Sequence, residues 1–135
     1  MKMPTSGNEG EINKFMDFIA DKKRFIKKLG VSWVADHYGS SFFELMDIIN
    51  KYDPIDLLSM GCPSNEYDLE IATIIVQLNH EMTVEEICEV VKEDFALWFG
   101  VSSVMDHIER YLPMATDIHE WLRAKGSGLN RYPTW

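Results

Sequence analysis

The chain has 135 residues, of which 46 % are hydrophobic and 12 % aromatic, and its 22 acids against 13 bases give a formal net charge of −9. That is the length of one domain, with enough residues to build a core without disulfides or a metal as staples. The composition argues against wholesale disorder, and the charge against a basic surface for nucleic acid.

Two cysteines, Cys62 and Cys88, are too sparse for a secreted disulfide scaffold and lack metal-site spacing, which points to a reducing, intracellular setting. The first ten residues lack the apolar core of a signal peptide. The longest aliphatic run, Ile74-Ile75-Val76, falls far short of the ~20 residues that span a bilayer. The expectation is a cytoplasmic protein with no membrane or nucleic-acid partner.

In chain order, residues 1–8 read as a flexible lead-in, and Ser6 with Glu9 has the spacing of a capping box. Ile12, Phe15, Met16, Ile19, Ile26 and Leu29 then recur at helical intervals, with Lys22, Lys23, Lys27 and Lys28 mostly on the opposite face. Residues 31–39 read as a short helical turn with Trp33, Val34 and Tyr38 inward. Ser41 and Glu44 suggest a second capping box ahead of a helix to about Lys51, which ends at Asp53-Pro54. Asp53 is placed to cap the next turn, which carries Ile55, Leu57 and Leu58.

After a loop at residues 61–65, Glu66 to about Leu78 reads as a helix, although β-branched residues keep a strand at 71–76 open. Thr83 and Glu86 form the cleanest capping box, opening a helix that carries Ile87, Cys88, Val91, Phe95 and Trp98 and ends at Gly100. A last helical region starts near Ser102, carries Val104, Ile108, Tyr111 and Leu112 on its apolar stripe, and is expected to kink or split at Pro113 before continuing to about Ala124. Residues 126–135 form a flexible or docked tail. The predicted architecture is all-α: one domain over residues 9–125, a small bundle of about five helices.

Charge is distributed unevenly. Residues 51–100 hold eleven acids and two bases, while the segments on either side balance. The residues that stand out as partner contacts are Asp53, Glu66, Tyr67, Asp68 and Glu70, then Glu85, Glu86, Glu89, Glu93 and Asp94. Glu85, Glu89 and Glu93 repeat every four residues, so like charges repel along one helix face. An isolated fold gains little from such a row, whereas a basic partner would be attracted to it over a distance. The plainer alternative is a solvated face that keeps the protein soluble.

Other chemistries find less support. None of the acids has calcium-loop spacing, and the four histidines, His37, His80, His107 and His119, have no metal-ligand spacing, so no metal or cofactor is expected. Cys88 falls on an apolar stripe and reads as a small core residue, while Cys62 reads as an exposed loop residue. No catalytic residue emerges, and the expectation is a protein that is not an enzyme.

Residues 52–58, Tyr-Asp-Pro-Ile-Asp-Leu-Leu, with residues 61–71, Gly-Cys-Pro-Ser-Asn-Glu-Tyr-Asp-Leu-Glu-Ile, and the closing Phe-Gly at 99–100 resemble the YugE-like family of small bacterial proteins of unknown function. The resemblance covers about residues 42–100. Asp56 stands where the family usually has glycine and Asn65 where it usually has aspartate. The resemblance implies a helical bacterial protein, and a small acidic helical chain of this kind also resembles the immunity proteins of bacterial toxin systems. On physical grounds alone, Tyr67 has two readings: part of a binding motif, or an inward ring whose hydroxyl reaches Asp53 or a backbone group while Glu66 and Asp68 cap helix amides. The functional expectation is a protein-binding module, most concretely an immunity protein that sets an acidic surface against a basic, nuclease-type toxin. The alternative is a regulatory homodimer joined through exposed aromatics such as Trp33, Phe43, Trp98 or Trp121.

Overall fold

The computed structural model describes residues 30–126 and Leu129. The expected first helix, its Ser6/Glu9 box, its lysine cluster and nearly all of the tail lie outside the described residues. Among these residues there are six α-helices and no strand: α1 (Val31–Tyr38), α2 (Ser40–Tyr52), α3 (Asp68–Ile75), α4 (Val84–Phe99), α5 (Val101–Asp106) and α6 (Tyr111–Lys125), with a 3₁₀ turn at Ile108–Arg110 ahead of α6.

Four helices close a ring: α2 packs on α3, α3 on α4, α4 on α6, and α6 back on α2. α1 lies against α2 and α3, and α5 leans on α4. Each long helix sends one stripe to the centre: Phe42, Leu45 and Ile49 from α2, Ile87, Val91 and Phe95 from α4, and Met114, Ile118 and Leu122 from α6. The Phe95 ring meets the edges of Tyr67 at 5.6 Å and Tyr111 at 6.3 Å, tying α4 to the residue ahead of α3 and to the start of α6.

α3 departs from this pattern. Six consecutive residues, Glu70 to Ile75, are buried, because helices surround it on several sides. A helix buried all round shows no amphipathic period, which is why the sequence left a strand open there. β-branched residues cost a helix a few tenths of a kcal/mol each, whereas burying an isoleucine contributes about 1.5–3 kcal/mol. Burial therefore decides the outcome, and the helix is shorter than the expected Glu66–Leu78.

Local signals fared unevenly. The Thr83/Glu86 box is formed in full: Thr83 Oγ1 accepts from Glu86 N at 3.1 Å and Glu86 Oε1 accepts from Thr83 N at 2.9 Å. The Ser41/Glu44 box is not, because α2 starts a residue earlier, after Gly39 at φ 60°, and Glu44 is engaged elsewhere. Trp33 points outward, contrary to expectation, while Val34 and Tyr38 point in. The last helical region breaks at His107–Arg110 rather than at Pro113, which lies in the first turn of α6, where a missing N–H costs nothing. Ile108 and Leu112, expected on the apolar stripe, are exposed.

Candidate functional site

The acids singled out by the sequence separate into three environments. The first is the turn between α2 and α3. Asp53 ends α2 in a left-handed conformation, φ 49°. Its Oδ1 accepts from Leu58 N at 2.9 Å and from the Tyr67 hydroxyl at 2.7 Å, and its Oδ2 accepts from Ser59 N at 2.9 Å. The hydroxyl in turn accepts from Ile55 N and Leu57 N, both at 3.3 Å. The Tyr67 side chain is fully buried, so the inward reading of this residue holds. Burial pushes the phenol upward and its bond to Asp53 adds to the shift. Burial also pushes Asp53 upward, but the bonds from Tyr67, Leu58 and Ser59 outweigh it and the carboxyl ends below its usual range.

Two residues without a local sequence signal complete this turn. Arg110 Nη1 donates to the Asp53 carbonyl at 2.6 Å and to Asp56 Oδ1 at 2.7 Å, and His107 Nε2 lies 3.3 Å from Asp56 Oδ2. Asp56 is itself left-handed, φ 66°, a conformation that glycine adopts freely. The carboxylate that glycine lacks is clamped to the segment ahead of α6, and the Arg110 bond holds its pKa down. Glu66 and Asp68 do not cap α3, whose start has no side-chain cap. Glu66 is exposed; Asp68 is half-buried, and burial followed by the Glu66 charge raises its carboxyl.

The second environment corrects the sequence reading. Glu70 and Asp94 are 5 % and 1 % exposed, so they belong to the core and cannot serve as surface contacts. Asp94 Oδ2 accepts from Thr73 Oγ1 at 2.8 Å, and Thr73 Oγ1 accepts from Trp98 Nε1 at 3.3 Å. Each carboxylate has further polar interactions beyond these. A buried carboxylate needs compensating interactions, and the Asp94–Thr73 and Trp98–Thr73 bonds link α3 to α4.

The third environment is the outer face of α4. Glu85, Glu86 and Glu89 are exposed, and Glu93 is half-buried. Lys92 Nζ pairs with Glu89 Oε2 at 3.0 Å and is the one cation that contacts this row among the described residues. Burial and then the Glu89 charge raise the Glu93 carboxyl. Beside the row runs a groove of about 290 Å³, lined by Glu85, Cys88, Glu89, Lys92, Ile108, Tyr111 and Leu112.

Elsewhere, a cleft of about 590 Å³ brings His80, His119 and Arg123 together with Glu81. No group of three or more His, Cys, Asp or Glu converges on a metal position among the described residues. Cys88 is buried with its thiol pKa raised by that burial, and Cys62 is half-buried rather than exposed. No helix among them is long and apolar enough to cross a membrane. No protein-family model, curated protein or solved structure matches the chain.

Proposed function

We propose that this chain is a protein-binding module that receives a partner with a basic surface on the outer face of α4. The observation that carries the reading is the sparse compensation along that face: among the described residues, Lys92 is the one cation paired there, with Glu89, while Glu85 has no ion pair and Glu86 is engaged by the helix cap. Several acids elsewhere among the described residues are matched, as in Lys51–Asp117 at 3.0 Å, Arg110–Asp56 at 2.7 Å and Lys125–Glu44 at 2.8 Å. Like charges four residues apart weaken a helix by a few tenths of a kcal/mol per pair, and a cationic partner turns that repulsion into attraction. Its finer form is a bacterial immunity protein of the YugE-like kind, acting in the cytoplasm. There the glutamates stand in for the phosphates of a nuclease toxin's substrate.

Glu66 extends the candidate contact surface; Asp53, Tyr67, Glu70 and Asp94 hold the fold that presents it. The test is capture from the native cell with the wild type and with Glu85→Lys/Glu89→Lys, which leaves the Glu86 cap intact. The expected result is a partner held less tightly as salt rises and lost by the double variant. A partner retained by that variant overturns the reading. The homodimer alternative draws on the exposed Trp33 and Phe43, 41 % and 54 % accessible. Trp98 and Trp121 are withdrawn from it, since their indoles donate to Thr73 and Glu44.

A further inference from the structure

We propose that the groove between α4 and the 3₁₀–α6 segment seats an amphipathic helix of the partner protein, with its apolar side chains on Ile108 and Leu112 and its lysines or arginines toward Glu85 and Glu89. This rests on the acidic-face reading above and deepens it from a charge preference to a shape and a side-chain pattern.

Ile108 and Leu112, the exposed apolar residues that line the groove, are 39 % and 55 % accessible. Glu85 and Glu89 line the same groove as Ile108 and Leu112; Lys92 pairs with Glu89 there, so one margin keeps a net negative charge beside the apolar surface of the other. Scattered apolar residues on a surface need no explanation, but apolar residues gathered in a groove with a charged margin match the groove-and-helix mode of recognition.

Charge selects the occupant. A second copy of this chain would bring its own net charge of −9 and its own glutamates against Glu85 and Glu89. A phosphate-bearing ligand would meet the same repulsion. A helix with cationic flanks satisfies both margins, and its apolar side chains have room in a groove of about 290 Å³.

The test measures fluorescence anisotropy with two synthetic peptides of identical leucine and lysine composition: one patterned as an amphipathic helix, one scrambled to break the pattern. The wild type is expected to bind the patterned peptide about tenfold more tightly, a preference of roughly 1.4 kcal/mol. Ile108→Ser/Leu112→Ser, at the two exposed apolar positions of the groove, should erase that preference while leaving the salt-dependent attraction to either peptide. Leu112→Ser alone should reduce it in part and serves as a second variant. Glu85→Gln/Glu89→Gln should weaken both peptides alike. Equal binding of the two peptides by the wild type, or a preference that survives in the Ser variant, overturns the groove and leaves the acidic face standing. Absence of salt-dependent binding to either peptide overturns the acidic face itself. A dimer seen in sedimentation and abolished by Ile108→Ser/Leu112→Ser makes a second copy the occupant and overturns the proposal.

Discussion

The turn around Asp53 and the outer face of α4 are both acidic, yet their carboxylates do opposite work. In the turn, each oxygen of Asp53 accepts a bond, and Asp56 is gripped by Arg110 and His107. On α4, Glu86 closes the helix cap, while Glu85 and Glu89 stand exposed with a single lysine. The turn is charge used for construction; Glu85 and Glu89 are charge left facing solvent. The same residue types therefore do not carry the same information, and only the first group should be felt strongly in stability.

Tyr67→Phe gives the largest contrast. It keeps the ring against Phe95 but removes a hydroxyl that serves Asp53 and two backbone amides. Leaving such groups unmet costs about 1–3 kcal/mol apiece, so a loss of roughly 3 kcal/mol is expected in urea denaturation. An effect below about 1 kcal/mol would mean that water replaces the hydroxyl and that the turn is less closed than its geometry indicates. Glu85→Gln should change stability by under about 0.5 kcal/mol in the same experiment.

Thr73→Val comes next. The two side chains have nearly the same shape, so packing is preserved while Asp94 loses its 2.8 Å bond and Trp98 its acceptor. About 2 kcal/mol should be lost. A matching loss in Thr73→Val/Asp94→Asn, well short of the sum of the single effects, would show that the hydroxyl and carboxylate act as a pair.

These expectations also mark what the sequence made legible. The Thr83/Glu86 box could be read because both of its bonds close within four residues. The Ser41/Glu44 box has the same local pattern, but Glu44 accepts from Trp121 Nε1 at 2.9 Å and pairs with Lys125. Those partners lie far along the chain and leave no mark near Glu44. Burial of Glu70 and Asp94 was hidden for a related reason. Each stands beside other acids in the sequence, Glu66 and Asp68 or Glu93, and only the docking of α3 against α4 takes it out of water. Arg110 looked like any surface base until the chain break at His107 turned it onto Asp53 and Asp56. Tyr67 was readable because Asp53 and the turn it caps are near in sequence.

Asp56 tests the comparison from within the structured turn. Asp56→Ala removes the carboxylate and still asks an L-residue to hold φ 66°, so a loss of about 1–2 kcal/mol is expected. Asp56→Gly removes the same carboxylate but fits the left-handed conformation freely, and should lose less. Thermal midpoints of the two variants give the order. Alanine as stable as glycine would show that the backbone there is not strained.

The smallest effect concerns Glu93, where the two regions should respond to pH with opposite sign. Asp53 and Asp56 have folded-state pKa values below their unfolded ones, so their contribution is complete at neutral pH. It is lost as the pH falls below about 4, the range in which unfolded aspartates titrate. Glu93 is raised by burial and by Glu89, so its folded state holds a proton more tightly than its unfolded state. Its ionisation therefore costs stability at neutral pH, and that cost is relieved as the pH falls through its folded pKa. Glu93→Gln should accordingly gain roughly 0.5 kcal/mol at pH 7 and nothing once the carboxyl is protonated in both states. Stability measured from pH 7 downward in wild type and variant gives two curves that converge in acid. Curves that stay parallel would place Glu93 in solvent, alongside Glu85 and Glu89, and move the boundary between the two kinds of acid one turn further along α4.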